Sequence, residues 1–217
     1  MSRKWIFFSG NTPLPKTLTP DEVAQFRDRL CDVAEHLFAE HGAEAVTIRQ
    51  LAAALGVSTM TPYRYFKDKD AILAAVRARA FDRHAEALET ARASLAKDPI
   101  ARSNAIGQAY VRFALENPEA YKLMFDVRQP SAADYPDFVR AAERSHATMT
   151  AHLRDLADAG LFDGDADYVG HLYWAALHGP IMLQLSGLLE TPFDAPTLIA
   201  GLTETLAKTY FAEPIST

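Results

Sequence analysis

The sequence predicts an all-α fold, and three observations predict it. Apolar side chains recur three and four residues apart through most of the chain, which places them on one face of a helix. Proline, glycine and short polar residues fall mainly between those stretches, where helices start and stop. No stretch alternates apolar and polar residues with the period of two that a strand needs. The chain has 217 residues, 49% hydrophobic and 23% charged, enough for a proper core and unlike disordered, collagen-like or low-complexity chains.

Residues 1–19 hold Gly10, Pro13 and Pro15 and read as an irregular arm. Its Trp5-Ile-Phe-Phe8 run is shorter than the apolar middle of an export signal. Thr19-Pro20-Asp21-Glu22 starts a helix: a capping hydroxyl, a proline suited to the first position and two acids in the first turn. Val23, Phe26, Leu30, Val33 and Leu37 form its apolar face, and Gly42 ends it, giving a helix over 20–41. Thr47 begins a short helix through Leu55, closed by Gly56, and Ser58 caps a third helix running to Phe66. Pro62 falls about one turn into that third helix, so the first turn is loosened or regular helix starts nearer Thr61.

A fourth helix runs from Asp68 to Leu95 on Ile72, Leu73, Val76, Phe81 and Leu88. Further helices are expected over 100–116, 118–125, 137–159, 165–188 and 196–211, with a loop over 128–136 and an interruption at Gly179-Pro180. That makes roughly nine helices. The chain divides into the arm 1–19, a unit over 20–67, a connecting helix over 68–98 and a second unit over 99–217.

The charge is uneven. Residues 1–80 carry 11 Lys and Arg against 9 Asp and Glu, a net of +2, while residues 81–217 carry 11 against 19, a net of −8. Within 45–69, Arg49, Arg64, Lys67 and Lys69 face Asp68 alone. Such asymmetry marks an end that meets nucleic acid. Cys31 is the one cysteine, so no internal disulfide exists and a cytoplasmic setting is expected. No apolar run is long enough to span a membrane.

Thr47–Phe66 has the layout of a helix-turn-helix. Ala52 is small where two helices must cross, Gly56 supplies the left-handed turn, and Leu51, Leu55 and Val57 anchor the pair on the first helix. Together with Tyr63-Arg-Tyr-Phe66, Lys67-Asp-Lys69 and Ala71-Ile-Leu73, this segment resembles the DNA-binding domain of the TetR family of transcriptional regulators over residues 22–73. The resemblance implies phosphate contacts at Thr47, Tyr63, Tyr65 and Lys69. It places Arg49, Ser58, Thr59, Met60, Thr61 and Arg64 at base edges or their margins. Arginine suits guanine because its fork donates two parallel hydrogen bonds. Pro62 departs from the family pattern, which has an aliphatic residue there.

Phe113–Asp126 and Tyr173-Trp-Ala-Ala-Leu-His-Gly179 resemble the effector domains of a subset of these regulators with a Trp-spaced-His-Gly signature. Tyr110, Phe113, Tyr121, Phe125, Met149, Tyr173, Trp174 and His178 combine apolar bulk with polar tips, as a pocket for a small organic molecule requires. The resemblance implies a homodimer through the last two helices, with Leu185, Leu188, Leu198 and Leu202 at the contact. The reading is a repressor released from double-stranded, palindromic operator DNA by a small hydrophobic effector. A constitutive DNA-binding dimer, or a helical small-molecule-binding protein or enzyme with an incidental hairpin, stays open. No cofactor, catalytic residue or metal site is expected. The histidine spacings fit no metal motif, and neither a phosphate loop nor a serine elbow is present.

Overall fold

The computed structural model describes residues 19–94, 98–125, 134–162, 164–189 and 192–211. The expected arm over 1–19 lies almost wholly outside the described residues, as does most of the 128–136 loop. Among the described residues there are eight α-helices: α1 (Pro20–His41), α2 (Ile48–Ala54), α3 (Lys69–Ser94), α4 (Pro99–Glu116), α5 (Pro118–Met124), α6 (Pro136–Asp158), α7 (Ala166–Leu185) and α8 (Ala195–Tyr210). Among the described residues the only extended pairing is an isolated bridge between Phe162 and Phe211.

Local chemistry sets the boundaries. Thr19 and Glu22 cap one another's backbone at the start of α1, and Thr47 and Gln50 do the same at α2. Asp68, Asp98, Asp165 and Asp194 accept backbone N–H bonds at the starts of α3, α4, α7 and α8. Gly56 takes φ 67° after α2, and the Val57 N–H returns to the Ala52 carbonyl. This left-handed residue turns the chain toward the recognition segment.

Two expectations need correction. The third predicted helix is not an α-helix: only Pro62–Arg64 is helical, as a single 3-10 turn. Pro62 has no N–H for the Ser58 carbonyl, so that carbonyl accepts from Thr61 at 2.8 Å and the ladder tightens to three residues. The second concerns Gly179-Pro180, which does not interrupt α7. Pro180 is buried inside a continuous helix, where packing on neighbouring helices outweighs the lost hydrogen bond.

One core cluster joins Phe26, Leu30, Phe38, Leu51, Phe66 and Ile72 beneath the α2 segment, and Leu123 of α5 enters it. A larger cluster is built from α3 to α8, with Phe81, Ile106, Tyr110 and Ile181 among its members. α3 belongs to both, through Ile72 and Val76 at one end and Phe81 and Leu88 at the other.

Candidate functional site

The segment from α2 to the start of α3 presents one outward face. Thr47, Arg49, Ser58, Thr59, Met60, Tyr63 and Arg64 are exposed, while Thr61 and Tyr65 are half-buried. Met60 is 68% exposed at the tip of the turn, unusual for so large an apolar side chain. Pro62 and Phe66 are buried on the other side and hold the 3-10 turn against α1. No ion pair engages Arg49 or Arg64 among the described residues, so both guanidinium forks are available.

Two expected phosphate contacts have internal partners as well. The Tyr65 ring stacks on Phe26 at 4.0 Å, and its carbonyl accepts from Arg27 at 2.6 Å. The Lys69 ammonium donates to the carbonyls of Ala43 and Glu44, at 2.6 and 3.1 Å, tying the start of α3 to the α1–α2 turn. One of its three N–H bonds is left over. Arg27, whose guanidinium also lies 4.1 Å over the Phe66 ring, is a positioning residue that the sequence reading missed.

The expected ligand residues fall into groups. The Trp174 indole donates to the Tyr110 hydroxyl at 3.0 Å, the two tyrosine hydroxyls lie 2.6 Å apart, and the Tyr121 hydroxyl lies 2.7 Å from His178 Nδ1. The Trp174 N–H, both hydroxyls and His178 Nδ1 are all paired when Tyr110 donates to Tyr121 and Tyr121 donates to His178 Nδ1, which leaves the imidazole neutral with its proton on Nε2. Burial also pushes the His178 pKa down. These polar tips therefore satisfy one another.

A cavity of about 460 Å³ opens between α4, α6, α7 and α8, and one of about 170 Å³ lies between α3, α4, α6 and α7. Tyr110 and Met149 line both, Tyr173 lines the larger, and Phe125 and Trp174 line the smaller. Phe113, Tyr121 and His178 line neither. His152 lines the larger cavity and His84 the smaller, and sequence periodicity gave neither away. His84 Nδ1 bonds the Ser145 hydroxyl at 2.8 Å. Among the described residues no three His, Cys, Asp or Glu side chains converge on a metal position. Cys31 is buried, and burial pushes its thiol pKa up.

A helix-turn-helix face on an all-helical body with cavities open between its helices defines a class of DNA-binding regulator. The comparisons agree. Residues 30–76 match the family described as bacterial regulatory proteins of the tetR family, and residues 103–206 match a tetracyclin repressor-like C-terminal domain. The chain belongs to the TetR family and is a DNA-binding transcriptional regulator. It is 26% identical to the HTH-type transcriptional regulator Rv0681 of Mycobacterium tuberculosis, over 76% of this chain and 72% of that protein. It is 28% identical to the HTH-type transcriptional repressor KstR2 of Mycolicibacterium smegmatis, over 67% of this chain and 70% of that one. A solved structure from Rhodococcus sp. RHA1, of unknown function, superposes with a TM-score of 0.73 at 29% identity, covering 85% of this chain and 95% of that one. Among the described residues no helix is long and apolar enough to cross a membrane.

Proposed function

We propose that this chain is a cytoplasmic, homodimeric repressor that binds a near-palindromic operator and leaves it when a small hydrophobic molecule enters the helical body. The exposed face around the 3-10 turn carries this reading. Among the described residues no ion pair engages the Arg49 and Arg64 forks, which suit guanine edges, and Ser58, Thr59, Met60 and Thr61 lie between the two arginines in the sequence. Thr47 and Tyr63 sit at the margins for phosphate, joined by Tyr65 and by the remaining N–H of Lys69. The division into an arm, a DNA-binding unit over 20–67, a connector over 68–98 and an effector and dimer unit over 99–217 belongs to the same reading.

Dimerisation has its own support. α7 carries no Asp, Glu, Lys or Arg from Tyr168 to Leu185, so its apolar side chains extend beyond the face that packs within one protomer. In one protomer Tyr168, Leu183, Leu188 and Leu202 stay exposed, and Leu185 and Leu198 are half-buried. A second copy covering the α7–α8 face would bury them. One helix-turn-helix neutralises few phosphates, so useful affinity needs two.

Sedimentation of Leu202→Glu, paired with operator titration, tests this. The variant is expected to be monomeric and to lose at least tenfold in operator affinity, because like charges would meet across a twofold axis. A wild-type monomer at micromolar concentration, or a Leu202→Glu monomer with full affinity, would contradict the reading.

A further inference from the structure

We propose that the cavity between α4, α6, α7 and α8 takes an elongated apolar molecule bearing one uncharged hydroxyl or carbonyl group, held by His152 and Tyr173. This rests on the ligand-released repressor reading and names the chemistry of its effector.

The cavity walls follow from the sequence. The α4 wall runs from Ser103 to Arg112 and the α8 wall from Pro196 to Ala207. At 1.5 Å per residue these walls are roughly 14 and 16 Å long, so the space is a slot rather than a sphere. Gly107, Ala200, Thr203 and Ala207 keep the facing surfaces shallow, and the two helices leave the volume between them unfilled. At about 460 Å³ it lies within the range of small-molecule sites.

The polar groups decide what fits. Of the polar lining, the Tyr110 hydroxyl is engaged by Tyr121 and Trp174, the Thr203 hydroxyl donates to the Ile199 carbonyl, and Ser103, Asn104 and Gln108 lie along the partly exposed α4 wall. Tyr173 and His152 are different. The Tyr173 hydroxyl has no hydrogen-bond partner among the described residues. His152 is 7% exposed, and its covered Nδ1 makes no hydrogen bond of good geometry, the Thr148 backbone one turn back being a polar neighbour. Burial pushes the His152 pKa down to about 4 and the Tyr173 pKa up to about 12. Both groups are neutral at pH 7. They can share hydrogen bonds with a neutral oxygen, but they cannot repay the desolvation of a charge. Arg112 lines the cavity too, but its side chain is exposed, where solvent screens a pairing.

The test is calorimetric titration of the full chain, without DNA, using 1-decanol, 2-decanone, decanoate and decylamine. The alcohol and ketone are expected to bind, and the two charged probes to bind at least tenfold more weakly. Tyr173→Phe removes only a hydroxyl that has no partner among the described residues, so folding should be untouched and the alcohol should weaken about tenfold. Ala200→Phe fills the slot and should abolish binding. Decanoate binding as tightly as decanol, or decanol binding unaffected by Tyr173→Phe, would overturn the proposal. Operator titration with decanol then separates the two readings. If decanol binds in a Tyr173-dependent way and operator affinity stays constant, release by ligand fails while the cavity chemistry stands.

Discussion

His84 and His152 are buried in neutral form, and burial pushes each pKa from 6.5 down to about 4. The unfolded chain takes up these protons as pH falls through 6.5, while the folded chain resists until about 4. Their contribution to stability is therefore complete above pH 6.5 and declines toward pH 4. Between pH 7 and pH 5 the loss is on the order of 2 kcal/mol for each histidine. Urea midpoints of the wild type and of His84→Gln/His152→Gln should thus diverge at pH 7 and converge at pH 5. An equal acid drop in both proteins would show that the histidines are not the groups that titrate. The same residue-level chemistry explains why the pocket set was only partly legible. Bulk and polarity mark Tyr110, Tyr121, Trp174 and His178 in the sequence, but whether a polar tip is spent on a neighbour depends on packing between α4, α5 and α7. His152 carries no sequence mark at all, since a histidine on an amphipathic helix reads as surface.

At the scale of elements, caps and breaks were the legible part. Thr19, Thr47, Gly42 and Gly56 act as their residue types dictate, because capping involves only three or four consecutive residues. Pro62 also acted locally, reducing the third helix to a 3-10 turn. Pro180 did not, because the α7 ladder is held by tertiary packing that no local signal encodes. Gly170 shows the same limit. A Cβ there would lie 2.9 Å from Thr150 Cγ2 and 3.3 Å from its Cα, so α6 and α7 approach closely at this point. Gly170→Ala should lower stability by about 1–3 kcal/mol. In a Thr150→Ser background, which lacks the methyl group, the cost should shrink. Equal costs in both backgrounds by urea denaturation would place the effect elsewhere.

Across the whole molecule, two helices tie the DNA-binding face to the cavities. α3 was legible as a connector, since one apolar period runs its length. α5 was not: seven residues long, it places Leu123 in the core beneath the helix-turn-helix and Ala120, Tyr121 and Met124 in the larger core. Its Glu119 also meets His36 of α1 at 3.3 Å. A ligand that shifts α4 or α7 therefore has two mechanical routes to the recognition face, and it need supply only the ~1–3 kcal/mol typical of such coupling.

The central claim is that two copies of this face read one operator. The most direct test is to sequence the fragments that the full chain retains from a random double-stranded pool, beside those kept by Arg64→Ala. The wild type should enrich an inverted repeat whose half-sites lie about 10 base pairs apart centre to centre, or a multiple of that. Arg64→Ala should keep the repeat but lose preference at one position in each half, at about 1–3 kcal/mol. Enrichment of a lone half-site, or a pool no different from the input, would contradict the account.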